Sequence, residues 1–242
     1  MSQLASGIPA ARPKFRGTYI GICVVMIAII TVGFWPSYFG LIGGAGIEEP
    51  LFVHLHAFVY ISWMALFTTQ VVLVATRRVA AHRQLGQFAI YWGFAVLGMG
   101  IATALLSFAD IVADGDLARA QLEAIWPLLD MVVFALFFIP AVSYRHKPEL
   151  HKRFMIVATT NLIVAAVARV VGLETPSLHL AFILVWLSPI IIAMIHDYLS
   201  RRIVHPVYLA GAAVLAATTF RDSFATTDVW LGFTAWLAIV TA

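Results

Sequence analysis

The residues able to do chemistry here are histidines and carboxylates set within or beside apolar runs. His56, His179 and Asp130 each interrupt such a run, as do His54 and Arg169. Ionisable groups are expensive in hydrocarbon, so they face a bundle interior or a wet cavity. Imidazole and carboxylate together suit zinc, iron or copper. One reading is therefore a metal centre of His56, His179 and Asp130, with Arg169 or His54 behind it. The same residues allow a plainer one, a buried Asp130–Arg169 ion pair that fixes one helix against the next.

Histidines on facing helices are also axial ligands of haem. His56 with His179 would serve haem b on one side of the membrane, and His82 with His151 on the other, a pair of sites suited to carrying electrons across. The bland reading is that His82 in H-R-Q-L-G and His151 in H-K-R-F-M, each beside basic residues, are solvated helix caps or contacts to lipid phosphate. Met155, one turn after His151, is a ligand or ordinary packing. His146, His196 and His205 stand in loop or interfacial contexts and receive no role. Tyr60, Trp63, Trp92, Trp126 and Trp186 line a pocket or fill helix interfaces and the membrane belt.

These residues must be positioned by membrane helices. Of 242 residues, 62% are hydrophobic and 11% charged, against about 25% charged in a soluble domain. Apolar runs at 17–36, 51–75, 84–108, 125–144, 154–172, 177–199 and 205–220 predict an all-α, polytopic bundle of about seven spans. It forms a single transmembrane domain over 1–242. The terminal apolar piece, 229–242, is a truncated eighth span, a half-inserted segment or a surface helix.

Arg12, Lys14, Arg16, Arg77, Arg78, Arg83, Arg145, Lys147, Lys152, Arg153, Arg201 and Arg202 fall at alternate ends of these runs. Arg119, Arg169 and Arg221 fall at the opposite ends, with Glu48, Glu49, Asp110, Asp114, Asp116, Glu123, Glu174, Asp222 and Asp228. This bias predicts a cytoplasmic N-terminus, with 1–16 as a cytoplasmic segment. Pro50, Pro127, Pro176 and Pro206 are expected in or near first helical turns, where a missing N–H costs little.

Helical spacing sorts the faces. His56, Tyr60, Trp63, Phe67 and Gln70 share one, as do His179, Ile183, Trp186, Ile190, Ala193 and Asp197. Asp130, Phe134 and Phe137 share another, and so do Asn161, Ala165 and Arg169. Pro189 is expected to bend its helix. Gly86, Gly93, Gly100 and Ser107, seven apart, form a small-residue stripe that lets another helix approach closely.

Several classes are excluded. The single cysteine, Cys23, forbids an intrachain disulfide and a cysteine-based metal site. There is no Gly-rich phosphate loop and no G-x-S-x-G turn. Lys14, Lys147 and Lys152 all lie outside the hydrophobic core, so a retinal Schiff base is ruled out. The formal charge is +3, but the basic residues sit at helix ends rather than in one patch, so nucleic acid is not a partner.

H-L-H-A-F, Q-V-V-L-V-A-T-R-R leading into H-R-Q-L-G, H-K-R-F-M and H-P-V-Y-L together resemble bacterial multi-pass membrane proteins of unknown function, over about residues 50 to 235. That resemblance implies a bacterial inner-membrane location. The placing of His56, His82, His151 and His179 at helix ends on both sides is similar to cytochrome b561-type haem proteins. Those have fewer helices, and the ligand pairs here differ.

The expected function is haem or metal binding with electron transfer, to a redox partner or quinone. A metal-dependent membrane hydrolase acting on lipid, with the outer His/Asp cluster activating water, is a second reading. A small-molecule permease or an accessory subunit without a cofactor is a third. The bilayer is the one partner common to all.

Overall fold

The computed structural model describes residues 17–41, 50–171 and 179–241. Every element among them is helical: α1 (Thr18–Phe34), α2 (Leu51–Ala75), α3 (Val79–Ala113), α4 (Leu117–Ser143), α5 (Pro148–Leu162), α6 (Val164–Val171), α7 (His179–Arg201), α8 (Pro206–Thr218), α9 (Arg221–Ala225) and α10 (Asp228–Thr241), plus a 3-10 turn at Phe39–Leu41. Arg12, Lys14, Arg16, Glu48, Glu49, Glu174 and Pro176 lie outside the described residues.

Four helices, α2, α3, α4 and α7, are long and apolar enough to cross a membrane, and α5 with α6 makes a fifth if taken as one broken span. The other apolar helices α1, α8 and α10 have 17, 13 and 14 residues, against about 20 for a straight crossing. α3 begins five residues before the expected run and ends five after it. α4 starts at Leu117, so Pro127 lies inside the helix rather than in its first turn. An acidic N-cap moves the boundary: the Asp116 carboxylate accepts from the Arg119 backbone N–H at 3.0 Å.

α2, α3, α4 and α5 pack in sequence, while α1 lies against α2, α6 and α7. Gly93 meets the Phe138 ring of α4, and Gly100 meets Met131 of α4 and Tyr60 of α2. The expected stripe thus lets α3 close on both neighbours. On α7, Trp186, Ile190, Ala193 and Asp197 are all buried, in keeping with the face read from spacing. α10 is tied to α4: Trp230 Nε1 donates to the Gln121 carbonyl at 2.7 Å and Gln121 Nε2 donates to Thr234 Oγ1 at 2.9 Å.

The fifth hydrophobic run is broken. α5 and α6 meet at Ile163 with a bend of 47°, although no glycine or proline stands there. Non-helical backbone at membrane depth persists where protein satisfies it. Trp186 Nε1 of α7 donates to the Thr160 carbonyl at 2.9 Å, and Asn161 Nδ2 donates to the Asp130 carbonyl of α4 at 2.8 Å. The break also turns one expected face apart: Asn161 is fully buried, whereas Ala165 and Arg169 are exposed.

Candidate functional site

Two ends of the bundle carry polar clusters. At one end the first turn of α1, the starts of α3 and α5 and the last turns of α7 come together. Tyr19 stands edge-on to His196 at 5.3 Å between ring centroids, Lys152 lies 5.6 Å from the Tyr19 ring, and His82 faces His151. At the other end the tail of α1 meets that of α6, where the Arg169 guanidinium lies 4.5 Å from the centre of the Phe34 ring.

The centre of the first end is Arg153. Its Nε donates to Asp197 at 3.0 Å and its Nη2 donates to both carboxylate oxygens at 2.8 Å, while Nη1 donates to Glu149 at 2.8 Å. Glu149 also pairs with Lys152 and Arg201. A fork of guanidinium donors on a planar carboxylate is the geometry Arg is suited to. It joins α5 to α7 without leaving a charge unpaired. Neither Arg153 nor Asp197 was singled out as a pair by spacing, because 44 positions separate them.

Beside this network stand His82, at the start of α3, and His151, in the first turn of α5, with ring centroids 6.4 Å apart and planes at 77°. His151 Nδ1 donates to the Ala141 carbonyl at 2.8 Å, which fixes the orientation of the ring. A second hydrogen bond that fixes tautomer and orientation is the usual support of a metal-binding imidazole. His82 Nδ1 is buried and has no hydrogen-bond partner. Two metal–nitrogen bonds of about 2.0–2.1 Å on opposite sides of one ion would set imidazole centroids at about this spacing; here the two rings meet edge to face. Met155 is partly buried against the hydrophobic core, as packing.

The half expected to hold His56, His179 and Asp130 is arranged otherwise. The Asp130 carboxylate accepts from Arg221 Nη1 at 2.7 Å, and that guanidinium also donates to the Trp126 and Thr218 carbonyls and to Thr218 Oγ1. The expected Asp130–Arg169 pair is thus corrected. The break at Ile163 carries Arg169 to the surface, where its Nη1 donates to Ala165, and α9 brings Arg221 under α4 instead. Sequence separation hid this partner, 91 positions away.

His56 Nδ1 lies 2.9 Å from Thr103 Oγ1, whose own hydroxyl donates to Met99 at 2.8 Å, so the imidazole is the donor to Thr103. Its ring stacks on Tyr60 at 4.4 Å. His54 Nδ1 meets the Tyr38 hydroxyl at 3.1 Å. His179 is exposed as the first residue of α7. The metal set of His56, His179 and Asp130 is therefore not assembled: Asp130 is committed to Arg221, and His56 is turned to Thr103. No group of three or more His, Cys, Asp or Glu side chains that could hold a metal ion exists among the described residues.

Comparison with family models, curated proteins and solved structures returned no match, so any reading of the site rests on its own residues.

Proposed function

We propose that the protein is an integral membrane electron carrier in which His82 and His151 hold the iron of haem b. The observation that carries this reading is the approach of the two imidazoles, 6.4 Å between ring centroids with planes at 77°, one of them already anchored through Nδ1. An isolated zinc or other transition-metal ion wants three or four protein ligands, and among the described residues no third His, Cys, Asp or Glu joins the pair. Haem needs only two, because the porphyrin supplies the rest. Haem iron would supply one-electron transfer. The chain's part is to present two imidazoles on α3 and α5. Arg78 and Arg83, which flank His82 in sequence, complement the haem carboxylates.

The proposed topology has α1 and α8 as further crossings, to seven in all, with the N-terminus in the cytoplasm. It is supported by Arg77, Arg78, Arg83, Lys147, Lys152, Arg153, Arg201 and Arg202, which alternate along the chain in the manner of inward loops. It is also supported by the gathering of the α1, α3 and α5 starts at one end. A bacterial inner-membrane location follows from the sequence resemblance alone.

The test is the absorption spectrum of detergent-purified protein before and after dithionite. A Soret band that shifts on reduction and is lost in both His82→Ala and His151→Ala, but kept in His56→Ala and His179→Ala, is the expected result. Folded protein without a Soret band, even after growth with added haem precursor, overturns the proposal.

A second reading, a permease, is favoured by the break between α5 and α6, since broken helices recur at substrate sites in transporters. Its test is solute uptake into proteoliposomes by the wild type and by Asn161→Ala.

A further inference from the structure

Between α1 and α7, at the basic end of the bundle, runs a groove of about 160 Å³ lined by Thr18, Ile192, Ile195, His196 and Leu199. Its lining is almost wholly apolar, and Ile195 and Leu199 are exposed on the outward face of α7. Near its His196 end stand Lys152, which lies over the Tyr19 ring that meets His196 edge-on, and Arg201, the last residue of α7, which reaches Glu149 beside Lys152. Arg153 is committed to Asp197, so Lys152 and Arg201 share the single carboxylate of Glu149, which Arg153 also contacts. Three cations face two carboxylates, and one positive charge is left over at the end of the bundle where the apolar groove lies.

We infer that this groove is a binding site for one anionic phospholipid of the adjacent leaflet, its acyl chain against Ile192, Ile195 and Leu199 and its phosphate at Lys152 and Arg201. Charge selects the occupant. A zwitterionic lipid brings its own cation to a site that already has one in excess, whereas phosphatidylglycerol neutralises it. Basic residues at a helix end attract anionic headgroups, and the neighbouring groove converts that diffuse attraction into a single seat. The inference does not depend on haem, because none of these residues is a proposed ligand.

The experiment is native mass spectrometry of the full chain released from detergent after incubation with dioleoyl phosphatidylglycerol or dioleoyl phosphatidylcholine. The wild type is expected to retain one phosphatidylglycerol with about tenfold preference, and Lys152→Gln/Arg201→Gln to lose that preference. Ile195→Trp fills the groove from an exposed position and leaves every charge in place, so it reads the site even where the double variant fails to fold. It too is expected to lose the bound lipid. Equal retention of both lipids by the wild type overturns the inference, as does unchanged phosphatidylglycerol retention in either variant.

Discussion

Arg153 and Asp197 form a forked ion pair in which both side chains are almost wholly removed from solvent, at 0% and 2% exposure. The carboxylate receives three donated contacts, and α5 and α7 are held in one register by them.

Removing one partner leaves a charge buried alone. Asp197→Asn is expected to destabilise the bundle by about 3–5 kcal/mol, whereas Arg153→Met/Asp197→Leu recovers a large part of that loss. Thermal unfolding in detergent checks this. Strictly additive single and double losses would argue against a direct pair.

Asp130 and Arg221 predict a contrast between two arginines. Arg221→Gln is expected to cost about 3–5 kcal/mol, since Asp130 is then buried without its cation. Arg169→Gln removes an exposed cation–π contact, worth about 0.5–1 kcal/mol, and a hydrogen bond to the Ala165 carbonyl of its own helix. Fluorescence-detected gel filtration after graded heating separates the two. A larger loss at Arg169 would restore the pairing that spacing suggested.

His205 caps α8, its Nδ1 accepting from the Val207 backbone N–H at 3.2 Å. Partial burial pulls its pKa below the ordinary histidine value. The unfolded chain therefore binds the proton more readily, and stability rises with pH across that window. The contribution of this cap is complete above the ordinary value, near 6.5, and is lost as pH falls through the lowered one. His205→Asn keeps an acceptor that does not titrate. Its melting temperature is expected to vary less than that of the wild type between about pH 5 and 7, and an equal slope in both would refute the cap.

Two glycines of α3 respond differently to a methyl group. At Gly93 a Cβ would run into the Phe138 ring, which is stacked on Phe134 and enclosed by Trp63. Gly93→Ala is expected to cost about 1–3 kcal/mol. At Gly98 nothing lies within 4 Å, and Gly98→Ala stays within about 0.5 kcal/mol of the wild type. Chemical unfolding of both variants in the same micelle is the comparison.

Helix positions were largely legible in the sequence, because a run of apolar residues is itself the cause of a membrane helix. The inward face of α7 was legible for the same reason, as helical period and burial are one signal. The break at Ile163 was not. No residue in Asn161–Leu162–Ile163 forbids helix, and the bend is held from outside by Trp186 and by the Asp130 carbonyl that Asn161 reaches. One such undetected bend explains why Asp130–Arg169 was read as a pair: a straight helix would have kept Arg169 on the Asn161 face. His82 and His151 could be named from their places at helix starts. Their mutual approach is a tertiary fact, and the Ala141 carbonyl that aligns His151 belongs to the helix before it.

The bonds from Gln121 to Thr234 and from Trp230 to Gln121 also set an order of events during synthesis. The chain is made from its N-terminus at roughly 5–20 residues per second, so α4 waits on the order of 5–20 s for the segment that covers Phe108, Ala120 and Ile125. Through that interval the face of α4 meets lipid or a chaperone. A chain stopped before Asp228 never acquires its cover, so the apolar patch around Phe108, Ala120 and Ile125 stays open.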